Sequence, residues 1–225
     1  MTMLSGSDLA ARMADLARTA SAARSAADIL DSVTAAAVEL IPGVDTAGIL
    51  LIRGSGHESV ADTTEIPRQL DALQMTLNEG PCMQAALADT EIVTDDFRSE
   101  TRWARYSPAV VDIGVLSGLS FKMFTGERTA GALNLFGFRP RTWNDNDIAI
   151  GGVLAAHATA AILAYQQGEQ LRAALLTRDQ IAQAKGIVME RYNVDDIRAF
   201  EMLRQLSQET NTKLFEVARK VIDTR

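Results

Sequence analysis

Apolar and polar positions alternate along two neighbouring segments, VLSGLSFKMFT (115–125) and TAGALNLFGF (129–138), which are joined by GER. On the first, Val115, Leu119, Phe121 and Met123 share one face while Gly118, Ser120 and Lys122 share the other. That two-residue period marks a strand with one buried side, and the pair forms an antiparallel hairpin. TAGILLI (46–52) is a further strand, GSG at 54–56 turns the chain toward another near 59–64, and EIVTDD is a short one. Helical segments lie between them. An Ala-rich stretch over 5–40 forms one long helix or two; others are expected over 66–75, from near Pro81, and over 102–114 with a local break at Pro108.

From Asn144 or Asp145, both N-cap types, a helical pattern runs through Gln167 and on to about 191, with Gly168 its interruption. Leu171, Leu175, Ile181 and Val188 give it an apolar stripe that Arg178 and Lys185 break, so a coiled-coil dimer and an intramolecular packing face both fit. Asn193 suits a left-handed cap and Asp195 an N-cap for a helix with Ala199, Phe200, Leu203 and Leu206 on its apolar face. Asn211 caps a third helix, where Leu214, Val217, Ala218, Val221 and Ile222 follow the spacing of a buried stripe. Strands and helices in this order predict an α+β fold: an antiparallel sheet flanked by helices, a long connecting helix and a three-helix bundle. The domains divide at 1–165 and 166–225.

Composition narrows the class. The 225 residues are 47% hydrophobic and 23% charged, as in a soluble globular protein. The stretch 148–165 carries no charge, but its Ala, Gly and Thr content and His157 favour a buried or dimer-facing helix over a membrane span. The single cysteine, Cys82, precludes an intramolecular disulfide and fits a reducing cytoplasm; Asp8 and Asp15 speak against a secretion signal. No metal-ligand spacing, nucleophile–base pair or phosphate loop supports an enzyme, and His57 and His157 are taken as structural or exposed. Net charge is −7, but from Arg178 onward nine basic residues face eight acidic ones, so this tail is +1 and the preceding 177 residues are −8. The acidic total disfavours nonspecific nucleic-acid binding by the whole chain.

Within QIAQAKGIVMER (180–191), Gly186 sits mid-helix directly after Lys185. A helix-interior glycine costs roughly 1 kcal/mol relative to alanine. Either two helices pack tightly there or something outside the chain approaches the backbone. The run RDQIAQAKGIVMERYNVDDIRAFEMLRQLSQETNTKLFEVARKVI (178–222) resembles the ANTAR domain, an RNA-binding module of bacterial antiterminators, in QAKGIVMER, AFEMLR, TNTKL and the closing VA. LNEGPC, RW and GALNLF, within about 20–165, are similar to GAF sensor domains.

Together these resemble a GAF–ANTAR regulator. The resemblance implies a protein that binds paired hexanucleotide RNA loops and favours an antiterminator over a terminator hairpin; some relatives act on leader RNAs near the ribosome-binding site. By the motif match Ala184, Lys185, Gly186 and Arg204 are the RNA-contact candidates, with Asn211 and Lys213 behind them and Met189 assigned to the core. Single-stranded loops are recognised through close approach, a few cations and hydrogen bonds. The resemblance also implies a homodimer and an unidentified small-molecule effector, for which Phe121, Met123, Leu133 and Leu135 line a pocket or fill an ordinary core. Cys82 near a helix start is a candidate oxidant sensor or a plain buried thiol. The cyclic-nucleotide signature of GAF domains is missing, and no cofactor is expected. The competing reading is a ligand sensor whose C-terminal bundle holds a protein partner.

Overall fold

The computed structural model describes residues 14, 18, 25–53, 56–82, 84, 91–125 and 128–224. Half of the helix expected over 5–40, and most of the segment directly after Pro81, lie outside them. The chain divides into two compact units, 1–165 and 166–225.

In the first unit β1 (Thr46–Arg53), β2 (Gly56–Val60), β3 (Glu91–Thr94), β4 (Ser117–Thr125) and β5 (Arg128–Gly137) form one antiparallel sheet in the order β2-β1-β5-β4-β3. The register sets Leu119 against Leu135, Phe121 against Leu133 and Ser120 against Asn134. Paired residues point to the same side of a sheet. One face therefore carries Ile49, Leu119, Phe121, Met123, Leu133 and Leu135, which pack in a single core beneath α1 (Ala26–Leu40) and the first part of α4 (Asp145–Tyr192).

Both helices start with side-chain caps. Ser25 and Asp28 exchange hydrogen bonds in a capping box, and Asn144 Oδ1 accepts from the Asn146 and Asp147 N–H groups at 2.9 and 3.0 Å. Helix α4 lies close on β4 because Gly151 has no side chain; a Cβ there would overlap the Phe121 ring. By length and composition the stretch Asp145–Tyr165 would also cross a membrane. In this fold its Ile150, Leu154, Ala158 and Ile162 are spent on the sheet core.

The opposite face is covered by α2 (Glu65–Leu77), α3 (Tyr106–Ile113) and their connections. There Leu70, Phe97, Trp103, Tyr106, Val110 and Phe136 form a second core, with the Phe97, Trp103 and Tyr106 rings 6.1–6.4 Å apart.

Three expectations change. Strand β2 ends at Val60, earlier than the expected 59–64, because Ala61 takes a left-handed φ of 54°, Thr63 turns to β1 and Thr64 caps α2. Thr63 Oγ1 accepts from the Ala47 N–H at 2.9 Å, and Thr64 Oγ1 accepts from the Ile66 N–H at 3.2 Å. Pro108 breaks nothing: it falls in the first turn of α3, where no intrahelical N–H donor is needed. Val115 lies just ahead of β4 and joins the aromatic core, on the opposite side from Leu119.

In the second unit the end of α4 packs with α5 (Asp196–Glu209) and α6 (Leu214–Asp223) around Ala184, Val188, Ala199, Leu203, Val217 and Ala218. Helix α4 is continuous through Gly168. Asn193 is left-handed at φ 52° as its position suggested, and the Val194 N–H reaches back to the Met189 carbonyl at 3.3 Å. Asp195 Oδ1 caps α5 by accepting from the Arg198 N–H at 2.8 Å.

Asn211 has a different job from the one expected. It is left-handed at φ 48° and closes α5, with its N–H on the Gln208 carbonyl and the next N–H on Ser207, while the N-cap of α6 is Lys213. Phe200 and Leu206 stay 39% and 43% exposed, so the buried stripe of α5 narrows to Ala199 and Leu203.

So small a bundle has little stability to spare. Leu203→Ala removes a side chain that is 2% exposed. The expected loss is about 2–5 kcal/mol. Hydrogen exchange should then show residues 196–223 unprotected, with RNA binding lost alongside.

Candidate nucleic-acid interface and sensor core

Two glycines in α4 do opposite things. Gly151 admits Phe121, whereas a Cβ at Gly186, which is exposed, would meet nothing within 4 Å. Tight packing within the chain therefore does not account for Gly186. Its partner in the motif, Ala184, is 0% exposed in the bundle core. Two residues along a helix is about 200° around the axis. The two RNA-contact candidates Ala184 and Gly186 therefore do not share a face: Ala184 points inward and Gly186 outward. Met189 is partly buried against the same core.

Lys185 is not a free charge. Its Nζ lies 2.5 Å from Asp196 Oδ1, tying α4 to the first residue of α5. Its side chain keeps 25% exposure. Arg204 is exposed and, among the described residues, has no ion pair or side-chain hydrogen bond. The same holds for the side chains of Arg178, Arg191, Lys213, Arg219 and Lys220, of which the sequence reading singled out Lys213, since charge alone carries no positional signal. Arg198, by contrast, is held by Glu201 at 3.1 Å. The expected contacts do not converge on one point. Lys185 sits at the start of α5, and Asn211 and Lys213 follow its end. At 1.5 Å per residue that helix is about 20 Å long.

In the first unit the expected pocket residues turn out to be core. Met123, Leu133 and Leu135 are 0% exposed under α1 and α4. Phe121 also borders an open cleft of about 470 Å³, shared with Lys122, Phe124, Gly152 and Ala156.

The polar side chains gather on the other sheet face. Asn134 Oδ1 accepts from Ser120 Oγ at 2.5 Å and from the Cys82 thiol at 3.0 Å, and Asn134 Nδ2 donates to Asp71 Oδ1 at 3.4 Å. Gln74 accepts from the Cys82 N–H at 2.8 Å and donates to the same Asp71 oxygen at 3.4 Å. Ser59 Oγ lies 2.7 Å from Asp71 Oδ2. Nearby, the Tyr106 hydroxyl and Ser107 Oγ are buried with no partner among the described residues.

Burial and the neighbouring Asp71 push the Cys82 thiol up to about 12, against the activated thiolate that a helix start would favour. Ionising it would also turn an anion on the Asn134 oxygen. The motif LNEGPC now has a mechanical explanation. Asn78 closes α2 in a left-handed conformation, and Glu79 accepts from the Arg105 and Tyr106 N–H groups at 2.9 and 3.2 Å, capping α3. Those hydrogen bonds from Arg105, side chain first and then backbone, hold the Glu79 carboxyl below its usual range.

The GAF-domain family profile matches residues 23–163 and the ANTAR-domain profile residues 169–222. Among solved structures, the GAF domain of a phosphoenolpyruvate-protein phosphotransferase from Coxiella burnetii superposes with a TM-score of 0.61 at 15% identity, covering 72% of this chain and 96% of that one. The corresponding domain from Acinetobacter gives 0.53 at 13% identity, over 74% and 99%. The photosensory core module of a Stigmatella aurantiaca phytochrome gives 0.59 at 12%, over 88% and 44%. At such identities the likeness is one of fold. No curated protein matches the chain significantly. GAF domains sense ligands and ANTAR domains bind RNA in antitermination; both are regulatory rather than catalytic. With the one followed by the other along a single polypeptide, the chain belongs to the GAF–ANTAR family of signal-responsive RNA-binding regulators.

Proposed function

We propose that residues 166–225 bind paired hexaloop RNA hairpins and thereby control transcription termination, under the influence of a signal received by residues 1–165, in the cytoplasm. The observation that carries this reading is Gly186: a bare, exposed stretch of helix against which none of the described residues packs. Lys185, Arg204, Asn211 and Lys213 supply cations and a polar side chain on the surface of the same bundle, and Ala184 supports them from within. A net charge of +1 on this tail makes shape, more than counterion release, the source of affinity.

A second copy of the chain completes the site. Leu171, Leu175 and Leu176 are 64%, 50% and 65% exposed on α4, a seam suited to a coiled-coil homodimer. Two bundles held together then engage two loops at high effective concentration.

The test is binding of the full chain to a tandem hexaloop RNA. Arg204→Ala removes an exposed side chain with no partner among the described residues, so folding is expected to be unchanged. Affinity should fall by about 1–3 kcal/mol, roughly 5- to 150-fold. Lys185→Ala needs a companion, Asp196→Asn, which frees the lysine while breaking the same ion pair. RNA loss in the first variant but not the second assigns the contact to the ammonium itself.

The alternative, a protein partner on the bundle, draws support from an open groove of about 520 Å³ lined by Ala173, Ala174, Thr177, Arg178, Ile181 and Phe200. Retrieval of the partner that survives RNase treatment, together with no affinity for the tandem hairpin, would favour it.

A further inference from the structure

Asp71, on the inner side of α2, is 3% exposed, and among the described residues no cation pairs with it. Its Oδ2 lies 2.7 Å from Ser59 Oγ, and the same hydroxyl lies 3.0 and 3.2 Å from the two oxygens of Asp62, whose side chain is 5% exposed. A hydroxyl has one proton to donate. It can satisfy one of these carboxylates and must turn a lone pair to the other. The second contact becomes a hydrogen bond when that carboxyl itself carries a proton. We propose that Asp62, Ser59 and Asp71 form a proton-binding site, and that its occupancy sets how firmly α2 is held on the sheet and so the state of the sensor unit.

The surroundings favour a bound proton at the inner end. Facing Asp71 are Gln74 from its own helix, Ser59 from β2, Asn134 from β5, Cys82 from the connection after α2, and Asp62. Asp71 also bears on the fully buried Tyr106 of α3, whose hydroxyl burial keeps neutral. None of these groups is a cation. Arg68 reaches only Asp62, at 3.3 Å, and is itself 61% exposed; Glu65 adds a further negative charge near Asp62. Burial first, with Asp62 adding to it, pushes Asp71 up to about 7 against the opposing hydrogen bonds from Ser59 and Gln74.

With the proton present, Asp71 donates to Ser59, Ser59 donates to Asp62, and Arg68 closes the chain at the surface. Once it leaves, two carboxylates compete for one hydroxyl proton across the junction of β2 and α2. The buried thiol of Cys82 follows, because its own N–H is held by Gln74 on α2.

The sign is set by the raised pKa. Between about pH 4, where the carboxyl ionises in the unfolded chain, and about 7, where it does so in the fold, only the folded protein holds the proton. Stability is therefore full below that window, falls as pH rises through it, and is level above.

The inference rests on the sensor reading only for what the proton controls. The measurement uses the full chain without RNA, so failure of either reading leaves the other standing. Carboxyl carbon NMR should show Asp71 titrating near pH 7, and Asp62→Asn should move that midpoint down by about one pH unit, the order of a neighbouring-charge effect. Alkylation of Cys82, the only cysteine, should be faster in the native chain at pH 8 than at pH 6 by at least about tenfold beyond the change seen for the denatured chain; a one-unit population shift has that size. Asp71→Asn, a neutral isostere, should abolish this excess. An Asp71 midpoint below 5, a midpoint indifferent to Asp62→Asn, or an excess that survives Asp71→Asn would each overturn the proposal.

Discussion

A leucine at position 186 should leave the chain folded and stop it capturing RNA. The two halves of that result come from one observation. Because a Cβ at Gly186 meets nothing within 4 Å, the larger side chain projects into solvent and displaces no neighbour. Replacing glycine by a strong helix former inside a helix should stabilise α4 by up to about 1 kcal/mol. Affinity for the tandem hairpin should fall by about 30-fold or more, the scale of losing one central contact worth about 2 kcal/mol. Gly186→Ala should lie between, with the stability gain intact and a smaller loss of binding. The measurements are thermal unfolding and RNA titration of the same preparations. A stable leucine variant that binds like the parent would place the RNA elsewhere on the bundle.

Gly151 in the same helix predicts the reverse. A Cβ there would overlap the ring of Phe121, which is 3% exposed and enclosed by the sheet core. Either α4 lifts from β4 or Phe121 leaves its place. Overpacking of this kind costs about 1–3 kcal/mol and sometimes more, and helix propensity returns at most about 1 kcal/mol. Gly151→Ala should therefore lower the stability of the first unit, and Gly151→Leu should prevent its folding, read as loss of the cooperative urea transition. Phe121→Leu combined with Gly151→Ala should recover part of the loss, since the smaller side chain vacates the space the new methyl needs. Equal stability of Gly151→Ala and the parent would mean that helix and strand are not locked at this crossing.

These two glycines also show where local pattern stops being informative. Both are helix-interior glycines with an isoleucine on one side, and the Lys185 that precedes Gly186 does not by itself separate a packing role from an open surface. The difference lies in what stands opposite: β4 for Gly151, and no atom of the described chain for Gly186. The interface shows the same division. That Lys185 and Arg204 are cations was plain from the start, yet the first is tied to Asp196 and the second has no partner among the described residues.

The sequence by itself determined whatever depends on a residue and its near neighbours. The alternation of the 117–137 hairpin, the left-handed turn at Asn193, the cap at Asp195 and the apolar stripe of the last helix all follow from backbone sterics and a fixed side-chain period. The spaced motifs also pointed to the family. Only the tertiary structure decided what covers each face. It sent Met123, Leu133 and Leu135 into the sheet core, left Phe121 at the border of an open cleft, and turned Ala184 inward. It also assembled Asp71, Ser59, Asn134 and Cys82, up to 75 positions apart, into one buried network. A period says which side chains share a surface. Which distant surface meets it depends on the whole chain finding its lowest free energy, and it is there that the charges acquire or lose their partners.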